Sequence, residues 1–310
     1  MTDRVPGARF GRVLTAMATP FDESGALDLA GAQRLAAHLV ATGSDGIVAT
    51  GSTGEAPTLT DDERVALWRA VVEAVDAPVV AGATSNDTAH SVELVRRAEE
   101  CGVAGILAVT PYYNRPSQAG IEAHFRAVAA ATRLPVVLYD IPVRSGRRIA
   151  RDTMLRLASD VANVVAVKDA SGDPASTARL LAQAPDGFEC YSGDDALTLP
   201  LLAVGAVGLI GVATHWCARE CGEAIERFLA GDLAGAIEVN AALLESFEFE
   251  TGEDTPNPVP VKAMLRVLGL PAGECRLPLG RAPGGLEDRA KSVLASLEAW
   301  RRTRAVPHAG

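Results

Sequence analysis

The chain has 310 residues, 48% of them hydrophobic and 22% charged, with a mean hydropathy near zero, which excludes a disordered chain. Its 29 Gly and 18 Pro are spread without period, so collagen-like and low-complexity architectures are excluded as well. Lys and Arg number 29 against 39 Asp and Glu, a formal charge of -10, and no stretch gathers the basic residues into a stripe, so no nucleic-acid partner is expected.

From residue 10 to about residue 230, short β-branched or apolar runs alternate with segments of helical period, the pattern of parallel strands joined by crossover helices. The first run, residues 13–18, is too short for a secretory leader and leads straight into Thr19-Pro20, so it reads as a strand and no export signal is expected. Seven more strands follow at 46–50, 78–82, 105–110, 135–139, 164–168, 189–192 and 208–212. Thr42-Gly43 ends the first helix, Asp61-Asp62-Glu63 opens the second with acidic residues, and Cys101-Gly102 closes the third. Eight strands, each followed by a helix, predict an α/β fold, a closed (β/α)8 TIM barrel. The alternative is a doubly wound open sheet, but no GxGxxG follows the first strand.

Residues 196–218 carry no formal charge and are long enough on paper to span a bilayer. Pro200, Gly205, Gly208 and Gly211 divide them into a short helix (196–204), a turn and a buried strand, so no membrane partner is expected. After residue 230 the strand signals stop, and 232–250, 258–268 and 286–301 read as helices. Residues 1–230 are therefore expected to form the catalytic barrel, and 231–310 a C-terminal helical extension packed on it, since no polar linker separates them. Residues 303–310 are expected to fray.

The five cysteines, at 101, 190, 217, 221 and 275, are odd in number and lack paired spacings, which points to a reducing compartment and a cytoplasmic location. His215-x-Cys217-x3-Cys221 has the residue types of a zinc site but no fourth ligand nearby. Cysteines four apart on an amphipathic helix pack as small apolar residues, so no metal is expected.

In a (β/α)8 barrel the polar side chains at the C-terminal ends of the strands converge on one mouth. Here they are Thr15 and Thr19, Ser52-Thr53-Gly54-Glu55, Thr110 with Tyr112-Tyr113, Tyr139 and Arg144, Lys168, and Ser192-Gly193-Asp194-Asp195. Lysine occurs only at 168, 262 and 291, and Lys168 ends the apolar run Val164-Val-Ala-Val-Lys168. An ammonium there is costly to desolvate and tends to lose its proton, which frees the amine to attack a carbonyl. A structural lysine paired with Asp169 or Asp194 is the equal alternative from position alone. Tyr139 offers a phenol for proton transfer, with Ser52 and Thr53 as relays, or else is a core aromatic with a satisfied hydroxyl. Gly51-Ser-Thr-Gly-Glu55 brings small residues and backbone amides to where an anion can be cradled, although a Gly-rich turn is often only a turn.

Five ordered blocks, Gly51-Ser-Thr-Gly-Glu55, Thr110-Pro-Tyr-Tyr-Asn-Arg-Pro116, Tyr139-Asp-Ile-Pro-Val-Arg-Ser-Gly146, Val167-Lys-Asp-Ala-Ser-Gly172 and Tyr191-Ser-Gly-Asp-Asp195, resemble the dihydrodipicolinate synthase and N-acetylneuraminate lyase family from about residue 12 to about residue 270. The resemblance implies an imine between Lys168 and pyruvate, an enamine that attacks an aldehyde, and no cofactor beyond that covalent imine. It implies Tyr139 as general acid and base, linked through Ser52 to Tyr113, and Thr53 at the pyruvate carboxylate. Gly193 and Ile210 are the further substrate-binding positions it implies. In the family the tyrosine matching Tyr113 enters the adjacent subunit's site, so a homotetramer, a dimer of dimers, is implied.

Arg144 matches the arginine that binds the carboxylate of aspartate semialdehyde in the family's synthases and is absent from its sialic acid lyases; a guanidinium on a carboxylate is a charge-assisted contact. Asn257-Pro-Val-Pro-Val-Lys262 also resembles the synthases' C-terminal segment. The implied reaction is therefore condensation of pyruvate with L-aspartate 4-semialdehyde to 4-hydroxy-tetrahydrodipicolinate in lysine and diaminopimelate synthesis. Its alternatives are a pyruvate-releasing aldolase or lyase of a keto-sugar acid or N-acetylneuraminate, and a catalytically quiet keto-acid-binding barrel. Three positions depart from the synthase pattern: Ser52 for threonine, Ala56 for serine and Asp140 for asparagine. The family's lysine feedback pocket has an acid at the position of His90 and a histidine at that of Arg64, so inhibition by lysine is expected to be weak or absent.

Overall fold

The protein is described here from a computed structural model covering residues 7–305. Eight parallel strands, β1 (Val13–Ala16), β2 (Gly46–Ala49), β3 (Val79–Gly82), β4 (Gly105–Val109), β5 (Val136–Asp140), β6 (Val164–Asp169), β7 (Glu189–Ser192) and β8 (Gly208–Gly211), close into a barrel in sequence order. The pairing of Leu14 with Ile210 joins β1 to β8 and excludes the open sheet. All eight strands lie where the apolar runs predict them. β5 and β6 each run one residue further than expected, to Asp140 and Asp169.

Alternation fixes what each strand residue faces. Leu14, Val48, Val80, Val137, Ala166 and Ile210 fill the barrel interior, and the residues between them, such as Ile47, Val79 and Val136, pack outward against the helices. The register sets Tyr139 beside Lys168 and Lys168 beside Tyr191, with Asp140 beside Asp169 one step further on.

The surrounding helices are α1 (Leu29–Ala41), α2 (Asp61–Ala74), α3 (Thr88–Glu99), α4 (Gln118–Ala130), the short α5 (Pro142–Ser145), α6 (Arg151–Asp160), α7 (Pro174–Leu181), α8 (Thr198–Leu202) and α9 (Thr214–Leu229). Local chemistry starts and stops them. Thr60 and Glu63 form a reciprocal capping box at the start of α2. Gly102, at φ 77°, takes the left-handed turn that ends α3 and returns the chain toward β4.

Residues 196–218 are divided as expected between α8 and β8, although α8 is shorter because a 3-10 turn, Asp195–Leu197, precedes it. No described helix is long and apolar enough to cross a membrane.

The chain continues through α10 (Leu233–Phe249), α11 (Val259–Val267) and α12 (Leu286–Ala305). Leu243 and Phe247 of α10, Val261 and Leu265 of α11 and Leu297 of α12 belong to the same buried cluster as the outward faces of the strands. Thr303 and Arg304 are helical; the remainder of the tail expected to fray, residues 306–310, lies outside the described residues.

Candidate active site

Lys168 occupies the inward face of β6 and is only 4% exposed. Its Nζ lies 4.5 Å from the centroid of the Tyr139 ring on β5. Burial lowers the lysine pKa to about 8, against the pull of Asp195 and Glu250 toward the charged form, and with a further push down from Arg144. A drop from 10.5 to about 8 raises the free-amine fraction at neutral pH by roughly 300-fold. The amine is thus available as a nucleophile, which an exposed lysine is not. Neither expected acid is its partner. Asp169 accepts hydrogen bonds from the Ser171 amide at 2.8 Å and from the Thr177 hydroxyl, and Asp194 accepts from the Ala196 amide at 3.1 Å.

Gly193 has a steric reason. A Cβ at this position would stand 2.9 Å from Lys168 Cγ and 3.0 Å from Lys168 Cε, so only glycine leaves the lysine its rotamer. Its amide donates to the Asp169 carbonyl at 2.7 Å, which fixes the loop after β7 against β6.

Burial pushes the Tyr139 phenol up to about 12, while Arg144 and the Ser52 hydroxyl favour its ionised form and Asp194 opposes it. The phenol therefore carries its proton at neutral pH and is poised to donate first. Ser52, Tyr139 and Arg144 line one cavity of about 280 Å³ with apolar walls from Leu107, Val109, Ile141 and Leu279. Tyr112, not Tyr113, lines this cavity.

Tyr113 faces away, 87% exposed, on a backbone with φ 71°. Non-glycine residues held at such angles cost on the order of 1–3 kcal/mol each and persist where the surroundings enforce them. Asn114, next along, donates to the Asn86 carbonyl at 2.8 Å and holds the turn. Ile210 is fully buried among the barrel-filling side chains of β8, below the mouth.

The C-terminal segment completes the mouth. Asn257 donates from Nδ2 to Thr53 Oγ1 at 2.9 Å, and its carbonyl accepts from Arg144 at 3.0 Å. Thr53 is thereby an acceptor toward Asn257 and keeps its own O–H proton to donate elsewhere. Glu55, at φ 54°, pairs with Lys262 at 2.6 Å with both side chains buried, and its second oxygen accepts the Arg276 amide at 2.8 Å.

His215 and its cysteines are structural. The imidazole accepts from the Ala18 amide at 3.1 Å through Nε2 and donates from Nδ1 to the Val212 carbonyl at 2.7 Å, and Cys217 and Cys221 lie buried with their sulfurs 3.8 Å apart. Among the described residues, no group of three or more His, Cys, Asp or Glu is placed to hold a metal ion.

Two contributions to the site were not assigned from the sequence. Glu250 reaches the neighbourhood of Lys168 from the end of α10, and Asn257 joins Thr53 to Arg144. Asn257 carried a signal, its place in the Asn-Pro-Val-Pro segment; Glu250 carried none.

Residues 9–297 match the model of the dihydrodipicolinate synthetase family. A 4-hydroxy-tetrahydrodipicolinate synthase of Moorella thermoacetica is 50% identical over 94% of this chain and 98% of its own length. One of Acidothermus cellulolyticus is 53% identical over 96% and 95%. The crystal structure of the enzyme from Cyanidioschyzon merolae with lysine bound superposes with a TM-score of 0.90 at 42% identity, over 93% of this chain and 98% of that one.

Proposed function

Because the chain belongs to the dihydrodipicolinate synthetase family, we propose that it condenses pyruvate with L-aspartate 4-semialdehyde to give 4-hydroxy-tetrahydrodipicolinate, on the route to diaminopimelate and lysine. It is a pyruvate-dependent lyase of the aldolase type, and enzymes of this family use no external cofactor. The observation that carries the reading is the buried Lys168, its pKa lowered and its ammonium nitrogen against the Tyr139 ring.

The free amine of Lys168 adds to the pyruvate keto carbon, and loss of water from the carbinolamine leaves an imine. Tyr139 supplies and recovers the protons for that step, since its phenol is protonated at neutral pH and stands beside the amine. Tyr139 takes a proton from the pyruvate methyl group to give the enamine, whose terminal carbon attacks the aldehyde carbon while the new alkoxide takes up that proton. The amino group of the semialdehyde then attacks the imine carbon, closing the ring and breaking the bond to Lys168, which leaves as the free amine. Thr53 donates its hydroxyl proton to the pyruvate carboxylate, with Gly193 leaving room for the imine and Ile210 closing the floor. Arg144 binds the carboxylate of the semialdehyde. Ser52 passes protons between Tyr139 and a tyrosine from outside the subunit.

That tyrosine is Tyr113 of a neighbouring copy: its exposure and its strained backbone support a side chain that completes a site other than its own. The working assembly is a homotetramer, a dimer of dimers. A cytoplasmic location is supported by five cysteines that are all free and buried.

The test is turnover with both substrates, compared between the wild type and Arg144→Leu. The expected result is rapid condensation in the wild type and a loss of about 10²–10³ in kcat/KM for the semialdehyde in the variant, with pyruvate imine formation retained. Undiminished condensation in the variant, or a wild type that turns over keto-sugar acids in preference, would remove the synthase reading.

A further inference from the structure

Past the end of β8, the Ala213 amide donates to two carboxyl groups at once, Asp195 Oδ1 at 3.1 Å and Glu250 Oε2 at 2.9 Å. Two oxygens that share one donor are near neighbours, and both residues are buried, Asp195 fully and Glu250 to within 8%. Two carboxylates so close in a dry site do not both ionise. Asp195 also accepts the Val212 amide at 2.9 Å through its other oxygen, so it is the better solvated of the two and the natural holder of the charge. Burial pushes both groups up, Glu250 the further; Asp195 adds to the push on Glu250, and Asp194 adds to that on Asp195, against the pull of Lys168 and the Val212 and Ala213 amides.

The cation on which both carboxyls act is Lys168, whose charged form each of them favours. The other titratable groups around them are Asp194 on the loop after β7, Cys217 and Cys221 on α9, and, facing the lysine, Arg144 on α5. The charge count matters for the chemistry. Two negative charges would hold Lys168 as an ammonium and block attack, and none would leave the cationic iminium without a counter-charge.

We propose that Asp195 and Glu250 hold one proton and one negative charge between them, and that this single charge poises Lys168 for imine formation, making Glu250 a positioning residue delivered by the C-terminal helices. The proposal rests on Lys168 being the imine-forming lysine. Either carboxyl can carry the charge when the other is neutralised, which gives the pair a signature that a structural role lacks.

The experiment is the rate of borohydride-trapped pyruvate adduct as a function of pH, in the wild type, Glu250→Gln, Asp195→Asn and the double variant. Each single variant retains one ionised carboxyl, so its acid limb should stay close to that of the wild type. The double variant loses the charge, so its limb should move to lower pH by about 1 unit. Limbs that do not move, or single shifts that add up to the double shift, would overturn the proposal.

Asp195 also anchors two amides after β8, so its variants can fail to fold. Infrared spectroscopy of the folded wild type and Glu250→Gln alone then decides. A protonated-carboxyl stretch that weakens in the variant at neutral pH, seen in the difference spectrum, is expected, and an unchanged spectrum would overturn the pair. A wild type that traps no pyruvate would sink the imine reading, while the infrared comparison still decides whether the pair shares a proton.

Discussion

On adjacent strand ends, Lys168 faces into the barrel and Asp140 faces out of it, and burial drives each toward its neutral form. For Lys168 that suits the proposed chemistry; for Asp140 it is a cost. The Asp140 carboxyl is raised from 3.8 to about 7, by burial first and then by Asp169, against the pull of the Ile149 amide and Arg148. A carboxyl whose folded pKa lies above its unfolded value contributes stability at low pH that is lost as the pH rises through about 7. Asp140→Asn keeps the acceptor for the Ile149 amide, which is 3.1 Å away, and removes the titration. It should stabilise the fold by on the order of 1–3 kcal/mol at pH 8, with the gain shrinking as the pH falls below about 7 and vanishing at about 4. Denaturant unfolding at the two ends of that range measures it, and a gain that is equal at both would refute the assignment.

At this scale the sequence made Lys168 visible, because lysine is scarce and this one ends an apolar strand. It could not show Glu250. That residue is one of several acids spaced along α10, with Glu245 and Glu248 among them, and only the packing of the helix against the barrel decides which one turns inward.

Among the elements, the C-terminal helices carry more of the site than a covering role requires. α11 supplies Lys262, whose ammonium meets Glu55, the Glu274 carbonyl at 3.1 Å and the Phe21 ring with its centroid 4.1 Å away. Removing one partner of a buried pair strands the other's charge. Lys262→Ala should therefore lower stability by about 3–5 kcal/mol, and adding Glu55→Gln should recover part of the loss. Unfolding midpoints for the two singles and the double variant form the cycle, and additive losses would show that the two groups act independently.

The strand positions were legible to within a residue or two because a period of two against 3.6 is a local property. Helix ends marked by Asp61-Asp62-Glu63 and Gly102 were legible for the same reason. That residue 257 comes to lie between residues 53 and 144 was not, because the distance is spanned by the whole barrel and no local pattern encodes it.

For the whole molecule, the proposed exchange of Tyr113 between copies carries a direct consequence for activity. Lys168→Ala and Tyr113→Phe should each lose nearly all turnover as pure proteins. Mixed and reassembled, they should regain about a quarter of wild-type activity, since hybrids gather both defects in one site and leave the other whole. No recovery would place Tyr113 in its own subunit's chemistry, and a Tyr113→Phe protein that is active on its own would place it outside the chemistry altogether.

The resemblance to enzymes with lysine feedback tests the surface in another way. His90 contacts the Asp61 carboxylate at 2.9 Å, and Arg64 is buried nearby with its guanidinium donating to the Ala56 carbonyl at 2.6 Å. At the positions where the resemblance places a feedback pocket, the Asp61 carboxylate is already engaged and a guanidinium lies alongside. Lysine should inhibit weakly or not at all, and half-inhibition at sub-millimolar lysine would contradict this.

The most direct measurement is borohydride reduction in the presence of pyruvate, read by intact mass and peptide mapping. One adduct per chain, located at Lys168 and absent from Lys168→Ala, is the expected result. An unmodified chain at saturating pyruvate, or an adduct mapped to Lys262 or Lys291, would contradict the imine on which the mechanism depends.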